Sequence, residues 1–356
     1  MNIDTKYLSG VRTLVRQCST KVDTPRQQSI LQSGFTLLEM ILVLFLVGLM
    51  ASATLMLTEG VEDQAKYDDT KRRMEIMRKA IVGDPTRTVN GGPEISGFVA
   101  DMGRLPLCVA ELLTAGDASG ASFQSPCDGS EITAWQPDPS TGIGFGWRGP
   151  YLQVTPERNG DLRFRDGYGN SDTSDAQNSG WLWDLVDASD AITTDVSDAV
   201  KIQLQSEGFD ASSAYPTTGP MDLISSSDWL LQHPITASLT IKNMSSTPQP
   251  TPNPVDILLR IYNRNNSIDS DVSFHIASDA ISANGSITNN FTLDESGAIS
   301  IGTRGYTVVC YELPPVTPDN FVIFDGDCSN AAPSSNDIKS FTVAPRQNIT
   351  LDWIIQ

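Results

Sequence analysis

A chain of 356 residues is long enough for two globular domains and an accessory segment. Its 43 acidic against 24 basic residues give a formal net charge of −19, which argues against nucleic acid as a partner, because phosphate backbones are held by clustered cations. Charged residues are only 19% of the chain, whereas Ser, Thr, Asn, Gly and Pro are abundant, a profile that suits an exported, loop-rich β protein better than a cytosolic enzyme.

Residues 1–34 form a polar leader in which Lys6, Arg12, Arg16, Lys21 and Arg26 outnumber Asp4 and Asp23. From Phe35 to Leu57 the run FTLLEMILVLFLVGLMASATLML carries one charge, Glu39, and is long enough to cross a bilayer as a helix. The basic flank predicts a cytoplasmic N-terminal side and an outward-facing C-terminal bulk. A secretory signal has its small-residue cleavage site after the apolar region. Here the candidate, Ser33-Gly34, comes before it, so cutting there keeps the helix and makes Phe35 the new N-terminus. Glu39 then lies one helical turn from a free amine. A carboxylate placed centrally in an apolar span costs roughly 2.5–3.5 kcal/mol, so it asks for a partner. Its own or a neighbouring chain's amine can serve, and the helix dipole favours the same position.

Gly34-Phe35-Thr36-Leu37-Leu38-Glu39 followed by an apolar run resembles the prepilin motif of type IV pilins and type II secretion pseudopilins. The resemblance implies a membrane aspartyl protease, the prepilin peptidase, that cuts after Gly34, and N-methylation of Phe35. It implies that Glu39 neutralises a neighbouring subunit's amine during assembly, with other pilin or pseudopilin subunits as partners. It further implies a single-pass inner-membrane anchor, in contact with lipid, whose C-terminal domains are periplasmic, or extracellular in an assembled filament. The plainer alternative is a signal anchor with a stray glutamate. Where many pilins carry a proline midway along this helix, Gly48 and Gly60 stand here.

The helix is expected to continue to about Val82, stopped by Gly83-Asp84-Pro85, with Met74, Met77 and Ile81 seating it on a first domain. From Phe35 it would span roughly 70 Å at 1.5 Å per residue. Residues 86–230 then read as an α+β head. A short helix in PEISGFVADMGRLPLCVAELL is broken at Gly103 and Pro106 and followed by another; DLRFRD, WLWDLV and AVKIQLQSEGFD read as strands. GPYL, Asp166-Gly-Tyr-Gly-Asn170 and Ser206-Glu-Gly-Phe-Asp210 are similar in order to the head of the major pseudopilin, with Tyr168 where Trp is usual and an acidic insertion from Ser171 to Val200. That family holds calcium in its last loop, and Ser206, Asp210 and Asp222 are the matching oxygen donors here. The competing reading is of turn carboxylates capping their own backbone, which also covers Asp172 and Asp175.

Beyond Leu230 helical periodicity ends. ITASLTIKN, VDILLRIYN, VSFHIA, ITNNFTL, AISIG, YTVVCYEL, FVIFDG, SFTVA and ITLDWII mostly alternate apolar and polar residues, as in a β-sandwich spanning 231–356. STPQPTPNP reads as an exposed loop, and FTL with AISIGTRGYTVVCYE resembles the prealbumin-like sandwiches of exported proteins. Of five cysteines, Cys18 precedes the cleavage point; the others form close pairs, Cys108 with Cys127 and Cys310 with Cys328. Two local disulfides worth about 3 kcal/mol each are expected, the alternative being four buried thiols. No CxxC occurs, and His233 and His275 stand apart, which argues against zinc.

No GxSxG, Walker loop or HExxH appears, so an enzyme is not expected. The expected architecture is therefore α+β: a long N-terminal helix (35–82, transmembrane over 35–57), a pilin-like α+β head (86–230) and an all-β sandwich. The expected function is a structural, minor subunit of a type II secretion pseudopilus or type IV pilus. A second reading is a pilin-anchored adhesin or substrate-binding module, whose sandwich meets a secreted substrate or a surface ligand.

Overall fold

The computed structural model describes residues 36–84, 86–89, 92–93, 95–119, 122–139, 141–170, 179–208, 216, 219–231, 235–249, 255–264, 267–276, 280–293, 299–310, 322–326, 337–345 and 347–356. The leader with Gly34, and Phe35, Asp172, Asp175, Asp210, His233 and Cys328, lie outside the described residues. The chain is mixed α and β, richer in strand than in helix. It divides into two compact units, Met1–Thr58 and Glu59–Gln356.

Helix α1 (Leu37–Val82) supplies all the described structure of the first unit but Thr36. Its stretch Leu37–Thr54 has a mean hydropathy of 2.2 and no buried residue, long and apolar enough to cross a membrane. The hydroxyls within it bond backward, Ser52 Oγ to Leu49 O at 2.9 Å and Thr54 Oγ1 to Met50 O at 2.8 Å. These donors therefore need no water.

In the second unit α1 buries Met74, Met77, Ala80 and Ile81, a stripe at helical spacing. The helix stops where expected, at Val82: Gly83 has φ +81°, and a Cβ there would fall 2.6 Å from Ser96 O. Helices α2 (Phe98–Met102) and α3 (Ala110–Leu113) follow, separated at Gly103 in the left-handed region and at Pro106. Small antiparallel ladders lie on both sides of these helices: β1 (Thr88–Val89) with β2 (Gly92–Pro93) before α2, and after α3 β3 (Ala118–Ser119) with β4 (Ser122–Gln124) and β5 (Glu131–Thr133), and β6 (Gln136–Pro137) with β7 (Gly144–Phe145). The main sheet of this part has the order β11 (Met221–Ile224), β10 (Ala199–Ser206), β8 (Trp181–Asp187), β9 (Ile192–Thr193). Helix α4 (Ser226–Trp229) opens with a capping box between Ser225 and Asp228, and Arg78 on α1 bonds Asp228 at 2.6 Å. The apolar faces of α1, α2, α3 and the sheet share one core, with Phe98, Leu105, Leu112, Ile202 and Leu204 fully buried.

DLRFRD is not a strand, contrary to its alternation. Its carbonyls go to side chains and local turns instead of a ladder: Phe164 O accepts Trp181 Nε1 at 2.9 Å, Arg165 O accepts an Arg73 guanidinium N–H at 3.1 Å, and Asp161 O accepts the Glu157 N–H at 2.9 Å. Phe164 fills the core while Arg163 and Arg165 pair with Glu157.

From Ile235 two sheets face each other. One has the order β15 (Ser286–Leu293), β12 (Ile235–Asn243), β19 (Ile349–Ile355), with β12 and β19 parallel. The other has β14 (Ser267–Ile276), β13 (Val255–Arg264) and β16 (Gly302–Cys310), and β16 pairs further with β17 (Val322–Ile323) and β18 (Lys339–Val343). Alternate residues of β12, β13, β16 and β19 point inward and form a second core, closed by Phe324, whose carbonyl receives Trp353 Nε1 at 2.7 Å. Of AISIG, Ala298 lies outside the described residues and Gly302 already opens β16; between them Ile299–Ile301 is not a strand, and Ser300 forms an isolated bridge to Leu230. The reason is that this segment serves both cores: Ile299 belongs to the second and Ile301 to the first. Arg304, 3% exposed, fastens the junction by donating to the carbonyls of Ser300, Ile301 and Thr303.

Candidate functional site

The features that sequence alone marks as functional are the N-terminal half of α1 and the two loops around Asp166 and Ser206. On α1, Leu37, Leu38, Leu44, Phe45 and Met50 are all more than 60% exposed, so the helix presents apolar side chains on every side. Such a surface is satisfied by lipid or by other apolar helices. Glu39 sits in its first turn, exposed, with its N–H bonded to Thr36 O at 3.0 Å. It is the one charged residue between Leu37 and Thr58. Gly34 and Phe35 are outside the described residues.

The two loops, forty residues apart in sequence, meet through one buried carboxylate. Asp166, 2% exposed, accepts the Asn170 N–H at 3.0 Å, Asn170 Nδ2 at 2.8 Å and Ser206 Oγ at 2.6 Å. Asn170 Nδ2 also donates to Gly208 O at 2.7 Å. With three donors in place, the carboxylate is compensated for its loss of water. The same loop locks onto α1: the Gly167 N–H donates to Thr70 Oγ1 at 3.1 Å. A Cβ at 167 would lie 2.5 Å from Thr70 N and Thr70 Oγ1 and still closer to Lys66 O, so only glycine lets the turn reach the helix backbone. Gly167→Ala is expected to lower stability by about 1–3 kcal/mol through overpacking. Thermal denaturation measures this, and an unchanged midpoint would remove the locking role.

Of the residues matched to calcium, the described two, Ser206 and Asp222, do not share a site. Ser206 is fully buried and spends its hydroxyl on Asp166, whereas Asp222 lies on β11 opposite Gln203 and accepts Gln203 Nε2 at 2.9 Å. Gln203 and Ser206 point to opposite faces of β10, because their separation is odd. Asp210 is outside the described residues, and among the described residues no group of three His, Cys, Asp or Glu could hold a metal. Cys108 and Cys127 form a disulfide; Cys310 is disulfide-bonded too, with Cys328 outside the described residues.

One polar centre escaped the reading of the sequence. Glu111 on α3 is wholly buried and accepts two N–H bonds from Arg104 at 2.9 and 3.2 Å, the Leu107 N–H at 2.9 Å and Ser125 Oγ at 2.7 Å. The Cys108–Cys127 disulfide ties the two strands of chain that carry these donors. The signal was a single carboxylate in the apolar run LPLCVAELL, with an arginine seven residues before it. Its saturation with partners makes it a structural centre. Comparison of the chain with protein-family models, with curated proteins and with solved structures finds no match.

Proposed function

We propose that the chain is a structural, non-enzymatic subunit, a minor one, of a type II secretion pseudopilus or a type IV pilus. It is made as a precursor, cut after Gly34 by a prepilin peptidase and N-methylated at Phe35. It waits in the inner membrane as a single-pass protein with its C-terminal bulk in the periplasm, and then enters the filament through α1. The observation that carries this reading is the character of α1: apolar on all sides over Leu37–Thr54, with Glu39 one turn from the proposed new amine. A plain anchor gains nothing from a carboxylate in that place. Further support for a pilin-like head comes from the order of elements, a long helix followed by a sheet on which it packs, and from the pairing of Asp166 with Ser206.

Gly34→Ala is expected to slow cleavage, so that a precursor longer by the leader accumulates; mature-length product in normal yield would contradict the processing step. A second reading, an adhesin or substrate receptor on the sandwich, is favoured by the sandwich having a core of its own. Binding of a secreted substrate or a surface ligand by the full chain tests it. Removal of 231–356 would not, because Ile301 fills the other core.

A further inference from the structure

The Cys108–Cys127 disulfide and the buried Glu111 occupy one small region of the head, and the side chain of Ser125 joins them. Each oxygen of Glu111 accepts two hydrogen bonds: Oε1 from Arg104 at 3.2 Å and Ser125 Oγ at 2.7 Å, Oε2 from Arg104 and the Leu107 N–H, both at 2.9 Å. Of these donors only Ser125 comes from a different segment, the connection between β4 and β5. The disulfide ties that connection to the first segment, beside the donors themselves. Cys108 follows Leu107 in sequence, and the Cys127 N–H donates to Ser125 Oγ at 3.2 Å. A buried ion pair offsets its lost hydration only when its remaining lone pairs are filled, so the fourth donor decides whether burial is favourable. The bridge is also within reach of small solutes. Cys127 is half-buried, and a cavity of about 400 Å³ is lined by Val109 and Pro126, the chain neighbours of the two cysteines.

We propose that Cys108–Cys127 is a redox-sensitive latch on the Arg104–Glu111 pair. Closed, it holds Ser125 against Glu111 and keeps water from the pair; opened, it frees the turn at 125–130 and the pair becomes hydrated. Opening is thiol–disulfide exchange with a thiol reductant such as glutathione. One thiolate attacks a sulfur and breaks the S–S bond, and a second resolves the mixed disulfide. The chain gains two electrons and two protons as a pair of thiols, and the reductant leaves as its own disulfide. Thiols persist in a reducing compartment and close in an oxidising one, so on the proposed topology the head completes its packing only after export. The coupling itself lies within the head and holds whether or not the chain enters a filament. The alternative is that the hairpin alone positions Ser125, through the pairing of Gln124 with Glu131 and the Ser125 N–H on Ser130 O at 2.7 Å. The disulfide would then act only by constraining the unfolded chain. Reciprocity separates the two: a bridge that strengthens the Ser125–Glu111 contact is itself strengthened by that contact, by the same factor.

The test equilibrates the full chain, with its native cysteines and in detergent micelles, against graded ratios of reduced to oxidised glutathione. Alkylation then traps the thiols, and mass spectrometry reads the peptides that carry Cys108 and Cys127. Ser125→Ala and Glu111→Gln are each expected to open this bridge at about tenfold less reducing conditions, while the bridge of Cys310 stays where it was. Glu111→Gln leaves the Ser125–Cys127 bond in place, so an effect shared by both variants belongs to the contact between Ser125 and Glu111. Ile202→Val loosens the same core away from this centre, and is expected to lower the thermal midpoint without moving the opening. An opening unmoved by either polar substitution, or moved as far by Ile202→Val, would overturn the latch. Hydrogen exchange supplies the second readout: the Leu107 N–H is expected to exchange roughly tenfold faster once the bridge is open, with the amides of β12 unchanged. Equal protection of Leu107 in both states would overturn the proposal as well.

Discussion

Glu39→Ala is expected to give a chain that is cleaved, methylated and inserted as usual but enters filaments at least tenfold less. The carboxylate sits in the first turn of an otherwise apolar stretch of α1. In lipid it is an expense of roughly 2.5–3.5 kcal/mol at mid-depth, less near the interface, which only a positive partner offsets. On the proposed function, cleavage after Gly34 would put an amine at Phe35, four residues before Glu39 in sequence, and a neighbouring subunit would offer another. Alanine removes the penalty in the membrane and the attraction in the filament together, so membrane insertion survives while register is lost. Fractionation of sheared filaments against membranes reads the difference. Normal incorporation of the alanine variant would show that apolar packing alone sets the register.

The second large effect concerns stability. Glu111→Ala leaves the Arg104 guanidinium with its counter-charge gone, together with the Leu107 N–H and the Ser125 hydroxyl without their acceptor. Removing one partner of a buried pair costs about 3–5 kcal/mol, because the charge left behind is uncompensated. The midpoint of thermal unfolding should fall on the order of 10 °C. Adding Arg104→Met to Glu111→Ala removes the orphaned charge and should restore part of the loss, even though Arg104 also lies over the Phe98 ring at 5.2 Å. A double variant no more stable than the single one would mean that the guanidinium reaches water when its partner is gone.

Strands and helices with a strong internal period were legible from residues alone. The alternation in ITASLTIKN and ITLDWII marks β12 and β19 to the residue, because each has one face in a core and the other in solvent. The end of α1 was legible as well, since Gly83 alone supplies the backbone needed to leave the helix. DLRFRD has the same alternation and failed, because the carbonyls of Phe164 and Arg165 are claimed by Trp181 and Arg73, residues that no local pattern connects to it. Within AISIG, Ile299–Ile301 failed for a related reason, being divided between two cores. The loop motifs around Asp166 and Ser206 stood out in sequence, yet their joint was hidden. Ser206 looked like a metal donor with Asp222, whereas the parity of β10 turns it inward to Asp166.

The mature N-terminus is the most direct test of the central claim. Chain recovered from cells with an active prepilin peptidase is expected to give an intact mass lacking residues 1–34, with N-methylated Phe35 as its first residue. A recovered chain that still begins with its leader, in cells that process other prepilins, would contradict it.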